Sequence, residues 1–228
     1  MAQVNLARRA EIGSAKRART RTAILEAARD CYAGATTDPV TVDSLMQAAG
    51  LAKGTFYVHF HDLAELEAEL GAAVVVEIDE KLQPARLAVS DPLTRLATAM
   101  TILLHHLAAQ PARARLVARA AADLSLVGQA VHARLREDLA AAQAAGRLAL
   151  PSTDLAARIV SAIFVQAARD LGRGRIDSTT IPDVVRVILR AIGCAPADAA
   201  ARAVQAARQA DKFAQQIAAS GGTGTTGE

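Results

Sequence analysis

The chain has 228 residues with Lys+Arg 26 and Asp+Glu 23, a net charge of +3, and is 52% hydrophobic but only 3% aromatic. That length accommodates a sizeable core in one or two domains, and its two widely separated cysteines, Cys31 and Cys194, argue against a disulfide framework or a cysteine zinc site. No apolar run reaches membrane-spanning length and the N-terminus lacks the apolar core of a signal peptide, so the expectation is a soluble, cytoplasmic protein with no membrane contact.

Alanine supplies much of the apolar fraction, and no Val/Ile-rich alternating segments bounded by turns occur, so the expected fold class is all-α. The charge is unevenly placed. Residues 1–21 hold Arg8, Arg9, Lys16, Arg17, Arg19 and Arg21 against the single acid Glu11, a balance of +5 that leaves −2 for the rest. Residues 1–15 read as a basic flexible arm, either a phosphate footprint or a solvated tail. A first helix is predicted from about Lys16 to Ala33, with Ile24, Ala28, Cys31 and Tyr32 inward and Gly34 at its end. A loop follows to Pro39.

Residues 41–60, TVDSLMQAAGLAKGTFYVHF, read as two short helices joined by a tight turn. Thr41 is the expected N-cap. Val42, Leu45, Met46 and Ala49 form one apolar face, and Gly50 suits the left-handed residue that ends a helix. In the second helix Phe56 and Phe60 point inward, leaving Lys53, Thr55, Tyr57, Val58 and His59 on the other sides. A cation, a hydroxyl, a phenol and an imidazole outside an apolar inner face suit phosphates and base edges. Pattern alone also allows an ordinary helical hairpin whose aromatics are merely core.

The pattern T-V-x-x-L-x-x-A-A-G-L-x-K-G-T-F-Y-x-H-F resembles the helix-turn-helix of TetR-family transcriptional regulators. The likeness extends into TRTAILEAARD upstream and into the helix after His61, over roughly the first third of the chain. The resemblance implies an N-terminal three-helix DNA-binding domain and a C-terminal helical domain for ligand binding and dimerisation. It assigns Lys53 to a base edge or phosphate, Thr55, Tyr57 and His59 to phosphates, Val58 to a thymine methyl, and Gly54 to close backbone approach. Thr41, Arg19 and Arg21 complete the expected DNA-binding set. Two positions depart from the family pattern. Ala52 stands where serine is frequent, so the second helix lacks a side-chain cap, and Leu63 stands where lysine is usual, leaving His61 or the arm to substitute.

Asp62 is the expected cap of a fourth helix with the stripe Leu63, Leu66, Leu70 and Val74, extending towards Lys81. Pro84 and Ser90-Asp91-Pro92 mark a break. The DNA-binding domain is placed at 16–82 (motif 41–60), the ligand-binding and dimerisation domain at 83–219, and a flexible tail at 220–228. Within the second domain, one helix carries Leu93, Leu96, Met100, Leu103 and Leu107. A shorter helix spans Pro111 to Ala122, and a longer one, capped by Asp123, runs through Leu124, Val127, Val131, Leu135 and Leu139 to Gly146. Ser152 opens a helix to Gly172, GRGRIDSTT forms a loop, and Ile181, Val184, Val185, Ile188, Leu189 and Ile192 line the next. The last runs from Pro196 to Ala219.

The helix from Ser152 is apolar on two stripes, Leu155, Ile159, Ala162 and Ile163 on one and Val160, Phe164 and Leu171 on the other. Such a helix is either central to one domain or covered on one side by a second subunit, and the resemblance implies a homodimer. Gln166 and Asp170 fall in register with the first stripe. They, with Met100 and Phe164, are candidates for a small-molecule pocket, or else they pair within the core and with Arg169 or Arg173 at the helix end.

Nothing assembles into a catalytic set. Adjacent His105 and His106 project about 100° apart on a helix, His132 is isolated, and metalloprotease, nucleophile-elbow and phosphate-loop motifs are absent. The expectation is a non-enzymatic chain with no metal or cofactor. It is read as a sequence-specific regulator, a homodimeric repressor released from double-stranded operator DNA by an unknown small-molecule effector. The alternative is a helical adaptor that binds a protein partner and no operator.

Overall fold

The structure, a computed structural model, describes residues 2–34, 40–120, 129–148 and 152–221. The described residues are helical with no strand: α1 Ala2–Gly34, α2 Val42–Ala48, α3 Lys53–His59, α4 Leu63–Leu87, α5 Pro92–Ala109, α6 Pro111–Ala120, α7 Gln129–Ala144, α8 Thr153–Gly172, α9 Ile181–Ala191 and α10 Pro196–Gly221. None of the described helices is long and apolar enough to cross a membrane.

The chain divides into two compact units, 1–70 and 71–228, with the boundary inside α4. The predicted boundary at 82 moves upstream because Val74, Val75, Ile78 and Leu82 belong to the larger core of the second unit. Gly71, the first residue of that unit, packs against α6. A Cβ there would lie 2.1 Å from the carbonyl oxygen of Leu116, so only glycine lets α4 and α6 approach so closely.

In the first unit Ile24 and Ala28 of α1, Leu45 and Met46 of α2, Phe56, Phe60, and Leu66 and Leu70 of α4 are buried. Each fully buried large side chain contributes about 1.5–3 kcal/mol. The expected flexible arm at 1–15 is replaced by helix: α1 begins at Ala2, not near Lys16. Extending an existing helix needs no new nucleation, and the upstream segment contains no proline to stop it.

The second unit packs α5 against α7, α8, α9 and α10, and α6 against α8. Leu93, Leu96, Leu103 and Leu107 of α5 are buried as the stripe predicts, while Met100 is half-buried. Pro84 lies inside α4, close to its C-terminal end, and not at a break, although its ring removes one helical N–H donor; the chain turns after Leu87 instead. Asp91 caps α5 by accepting from the Thr94 N–H at 2.9 Å, and Ser152 caps α8 from the Leu155 N–H at 3.3 Å. The expected loop after Gly172 contains a short 3-10 turn, Ser178–Thr180, capped by Asp177. The expected cap Asp123, with Leu124 and Val127, and residues 222–228 of the tail lie outside the described residues.

The two stripes of α8 diverge. Val160, Phe164 and Leu171 are buried with the small residues Ala157, Ala168 and Gly172, whereas Leu155 is 44% exposed and Ile159 and Ile163 are half-buried. Burial within the chain is therefore deeper on the second stripe, and the first is only partly covered.

Candidate nucleic-acid interface and ligand cavity

The helical hairpin is built by local bonds. Thr41 Oγ1 accepts from the Ser44 N–H at 3.1 Å while Ser44 Oγ accepts from the Thr41 N–H at 3.0 Å, a reciprocal capping box. At the other end of α2, Gly50 sits at φ +65°. Its N–H donates to Gln47 at 3.1 Å and that of Leu51 to Met46 at 2.9 Å, the pair of bonds that closes a helix end and turns the chain. Ala52 offers no side-chain cap to α3. Asp62 caps α4 by accepting from the Glu65 N–H at 2.9 Å. That bond and the adjacent His61 hold its carboxyl below the usual carboxylate range.

Phe56 and Phe60 anchor α3, with ring centroids 5.6 Å apart, and Tyr57 meets Phe56 edge-on at 5.3 Å. The opposite side of α3 presents Tyr57, 57% exposed, and Val58, 71% exposed, beside Lys53 and Gly54, also exposed; Thr55 and His59 are half-buried. A Cβ added at Gly54 would meet nothing within 4 Å, so the protein's own packing does not demand glycine there. Lys53 does not stand alone. Its Nζ is 2.9 Å from Asp43 of α2, and that hydrogen-bonded carboxylate raises the lysine pKa.

The remaining expected DNA contacts are placed differently from one another. Arg19 is exposed on α1, with Arg8, Lys16 and Arg17. Arg21 is turned to an internal task instead, paired with Glu69 and stacked over Phe60. It neighbours the hairpin as expected, but its guanidinium is committed to holding α1 against the residues around α4. Thr41 is exposed with its hydroxyl engaged by the cap.

A cavity of about 710 Å³, counting the part open to solvent, lies in the second unit among α4, α5, α6, α7 and α8. Leu96, Met100, Leu103, Val117, Val160 and Phe164 are among its apolar walls. Met100 and Phe164, two of the candidates for a pocket, are among these walls. Gln166 and Asp170 are not. They hydrogen-bond each other at 2.8 Å, with Arg169 on Gln166 at 2.9 Å, on the outward stripe of α8. Register with Leu155, Ile159 and Ile163 put them on one stripe, but the cavity faces the other.

The cavity's charged lining is Asp79 and Arg86 of α4 and Asp138 of α7, which the sequence reading missed. Arg86 and Asp138 are both buried and meet at 2.6 Å. Arg86 also lies 3.8 Å from Asp79, Arg134 pairs with Asp79, and Arg95 lies 2.9 Å from Asp138. Burial pushes the Asp138 carboxyl up in spite of the guanidiniums of Arg86 and Arg95. The legible signal was charge in a core register: Val75, Asp79, Leu82 and Arg86 recur at i, i+4, i+7 and i+11 along one face of α4.

His105 is exposed, and His106 is half-buried with its Nε2 3.2 Å from both Gln110 and Arg113. Among the described residues no group of three His, Cys, Asp or Glu side chains is placed to hold one metal ion.

Residues 24–70 match the family described as Bacterial regulatory proteins, tetR family. Among solved structures, the chain is similar to RolR in complex with the ligand resorcinol, at 21% identity and a TM-score of 0.64 over 83% of this chain and 95% of that one. It is also similar to the fatty acid degradation regulator FadR from Bacillus halodurans, at 18% identity and a TM-score of 0.55 over 77% and 97%. A third is SmeT, the repressor of the Stenotrophomonas maltophilia multidrug efflux pump SmeDEF, at 18% identity and 0.51 over 75% and 89%. No curated protein sequence matches the chain. The N-terminal unit is thus a tetR-family helix-turn-helix domain, and the chain as a whole shares the two-domain helical fold of these regulators.

Proposed function

We propose that this chain, built on a tetR-family DNA-binding domain, is a sequence-specific transcriptional regulator that binds a near-palindromic operator as a homodimer and is released by a small molecule. The observation that carries the reading is the exposed face of α3, where Lys53, Gly54, Tyr57 and Val58 stand clear of a core anchored by Phe56 and Phe60. Lys53 contacts a base edge or phosphate, Tyr57, Thr55 and His59 hold phosphates, and Val58 meets a thymine methyl. Thr41 adds a phosphate contact at the start of α2 in competition with its cap, and Arg19 adds charge from α1. Arg21 is not assigned to DNA.

The partly covered stripe of α8, with Leu155 and Ala162 exposed and Ile159 and Ile163 half-buried, supports a second copy of the chain as its cover. The cavity in the second unit supports an effector site, and the resorcinol complex of RolR shows that a protein of this fold takes a small organic ligand. Release requires the effector to bind one arrangement of the dimer more tightly than another. SmeT is a repressor of this fold, which favours repression as the mode of action.

The test is a mobility shift with the DNA upstream of this protein's own gene, using the parent chain and a Lys53→Ala/Tyr57→Ala variant. The parent should shift the fragment and the variant should not, while circular dichroism and gel filtration show both folded and dimeric. Retained operator binding by the variant would sink the role of α3. A folded parent that binds no operator would favour an adaptor that contacts only protein.

A further inference from the structure

Among the described residues, those lining the cavity are hydrophobic except five: Asp79 and Arg86 of α4, His132 and Asp138 of α7, and Ser161 of α8. The three charged ones belong to a single network. Arg86 pairs with Asp138 at 2.6 Å and lies 3.8 Å from Asp79. Arg95 reaches Asp138 at 2.9 Å, Arg134 pairs with Asp79, and Gln83 Nε2 donates to Asp79 at 3.1 Å. The network thus holds three guanidiniums and two carboxylates, and a ligand of either sign meets the same set. Every charge on the cavity wall already has an opposite charge beside it. The side chains of Asp79, Arg86 and Asp138 are at most 8% exposed.

A carboxylate or an ammonium entering this cavity gives up its hydration and gains no unpaired counter-ion. Burial of a charge without such a partner is strongly unfavourable, so both signs are excluded. An uncharged ligand avoids that penalty, and its apolar surface meets Leu96, Leu103, Val117, Val131 and Val160. Of the two uncharged polar side chains, His132 already has an interaction of its own. Ser161 is half-buried, and a serine hydroxyl both donates and accepts, so it matches one uncharged polar group on the ligand.

We propose that the cavity takes a neutral, predominantly apolar small molecule with a single uncharged polar group at Ser161, and excludes the same skeleton as a carboxylate or an ammonium. That this molecule is the effector rests on the reading of the cavity as the effector site.

Calorimetric titration of the full-length protein at about pH 8, where an imidazole is ordinarily neutral, compares octan-1-ol, octanoate and octylammonium. The three share one chain and differ in head-group charge. Octan-1-ol should bind, and the two ions at least about tenfold more weakly. Ser161→Ala should weaken octan-1-ol by about two- to tenfold, the range of one hydrogen bond, and leave toluene unchanged. Met100→Trp and Ser161→Leu fill the cavity from α5 and α8 without touching the ion pairs. Whichever is folded by circular dichroism should bind no octan-1-ol. Octanoate or octylammonium binding as tightly as the alcohol would overturn the exclusion of charge, as would an operator-binding protein that takes none of the three. Alcohol binding unaffected by Ser161→Ala or by a folded filling variant would overturn its placement. Octan-1-ol at saturation should also weaken operator binding; an unchanged operator affinity would remove the effector role and leave the ligand class standing.

Discussion

The guanidinium of Arg21 lies 4.4 Å from the centroid of the Phe60 ring. The same side chain pairs with Glu69, so one arginine on α1 ties together the end of the hairpin and the first turns of α4. A cation over an aromatic face contributes about 0.5–1 kcal/mol at a partly exposed site, and a half-exposed ion pair less than that. Arg21→Ala should therefore lower the stability of the N-terminal unit by about 1 kcal/mol in urea unfolding. The salt slope of DNA binding should not change. A flatter slope at unchanged stability would return Arg21 to the phosphate contacts.

Asp43 restrains Lys53 from the neighbouring helix at 2.9 Å and places a negative charge on the surface proposed to meet DNA. Asp43→Asn should free the lysine and remove a repulsion, raising operator affinity by about two- to fivefold at low salt, the range of an exposed charge interaction. Fluorescence anisotropy against salt reads this directly. A loss of affinity would mean that Asp43 instead poses Lys53 for a base.

Gly54 is open to solvent, with space for a methyl group. Gly54→Ala should leave thermal stability equal or slightly raised, since alanine is favoured over glycine in a helix by about 1 kcal/mol. Operator affinity should nevertheless fall by at least about tenfold if the α3 backbone closes on the DNA. Unimpaired binding would show that the approach at this position is not close.

Arg8, Lys16, Arg17 and Arg19 form an exposed basic stretch along α1. Deleting residues 1–18 should weaken operator binding and flatten its salt dependence by about one unit for each phosphate that the truncated protein no longer neutralises. Unchanged affinity and slope would reduce this stretch to a solubilising segment.

Asp91 caps α5 and receives Arg147 and Arg202. Burial alone would raise its pKa, but the hydrogen bonds from Thr94 and the two guanidiniums outweigh it and hold the carboxyl below its ordinary value. The folded state therefore binds this proton less readily than the unfolded one. Its contribution is complete above the unfolded value of about 3.9 and is lost as pH falls through the lower folded value. Asp91→Asn should be less stable than the parent at pH 7 and converge with it below about pH 4 in paired urea titrations. A gap independent of pH would assign the loss to the cap instead of the charge.

The helices and the hairpin were legible in the sequence because the bonds that make them are local. Thr41 and Ser44, Gly50 and Gln47, and Phe56 and Phe60 are partners a few residues apart, so their identities alone dictated cap, turn and inner face. The uncapped start at Ala52 was equally readable. Three features needed the folded chain. Arg21 reaches a partner 48 residues away, and Arg86 meets Asp138 across 52. The two apolar stripes of α8 were both visible, but periodicity does not say which stripe a neighbouring helix will cover, and so Gln166 and Asp170 fell on the outer face while Asp79, Arg86 and Asp138, with His132 and Ser161, are the polar residues that line the cavity. Local chemistry determined what each helix is; packing between residues remote in sequence decided which of its charges line the cavity and which lie on the outer face.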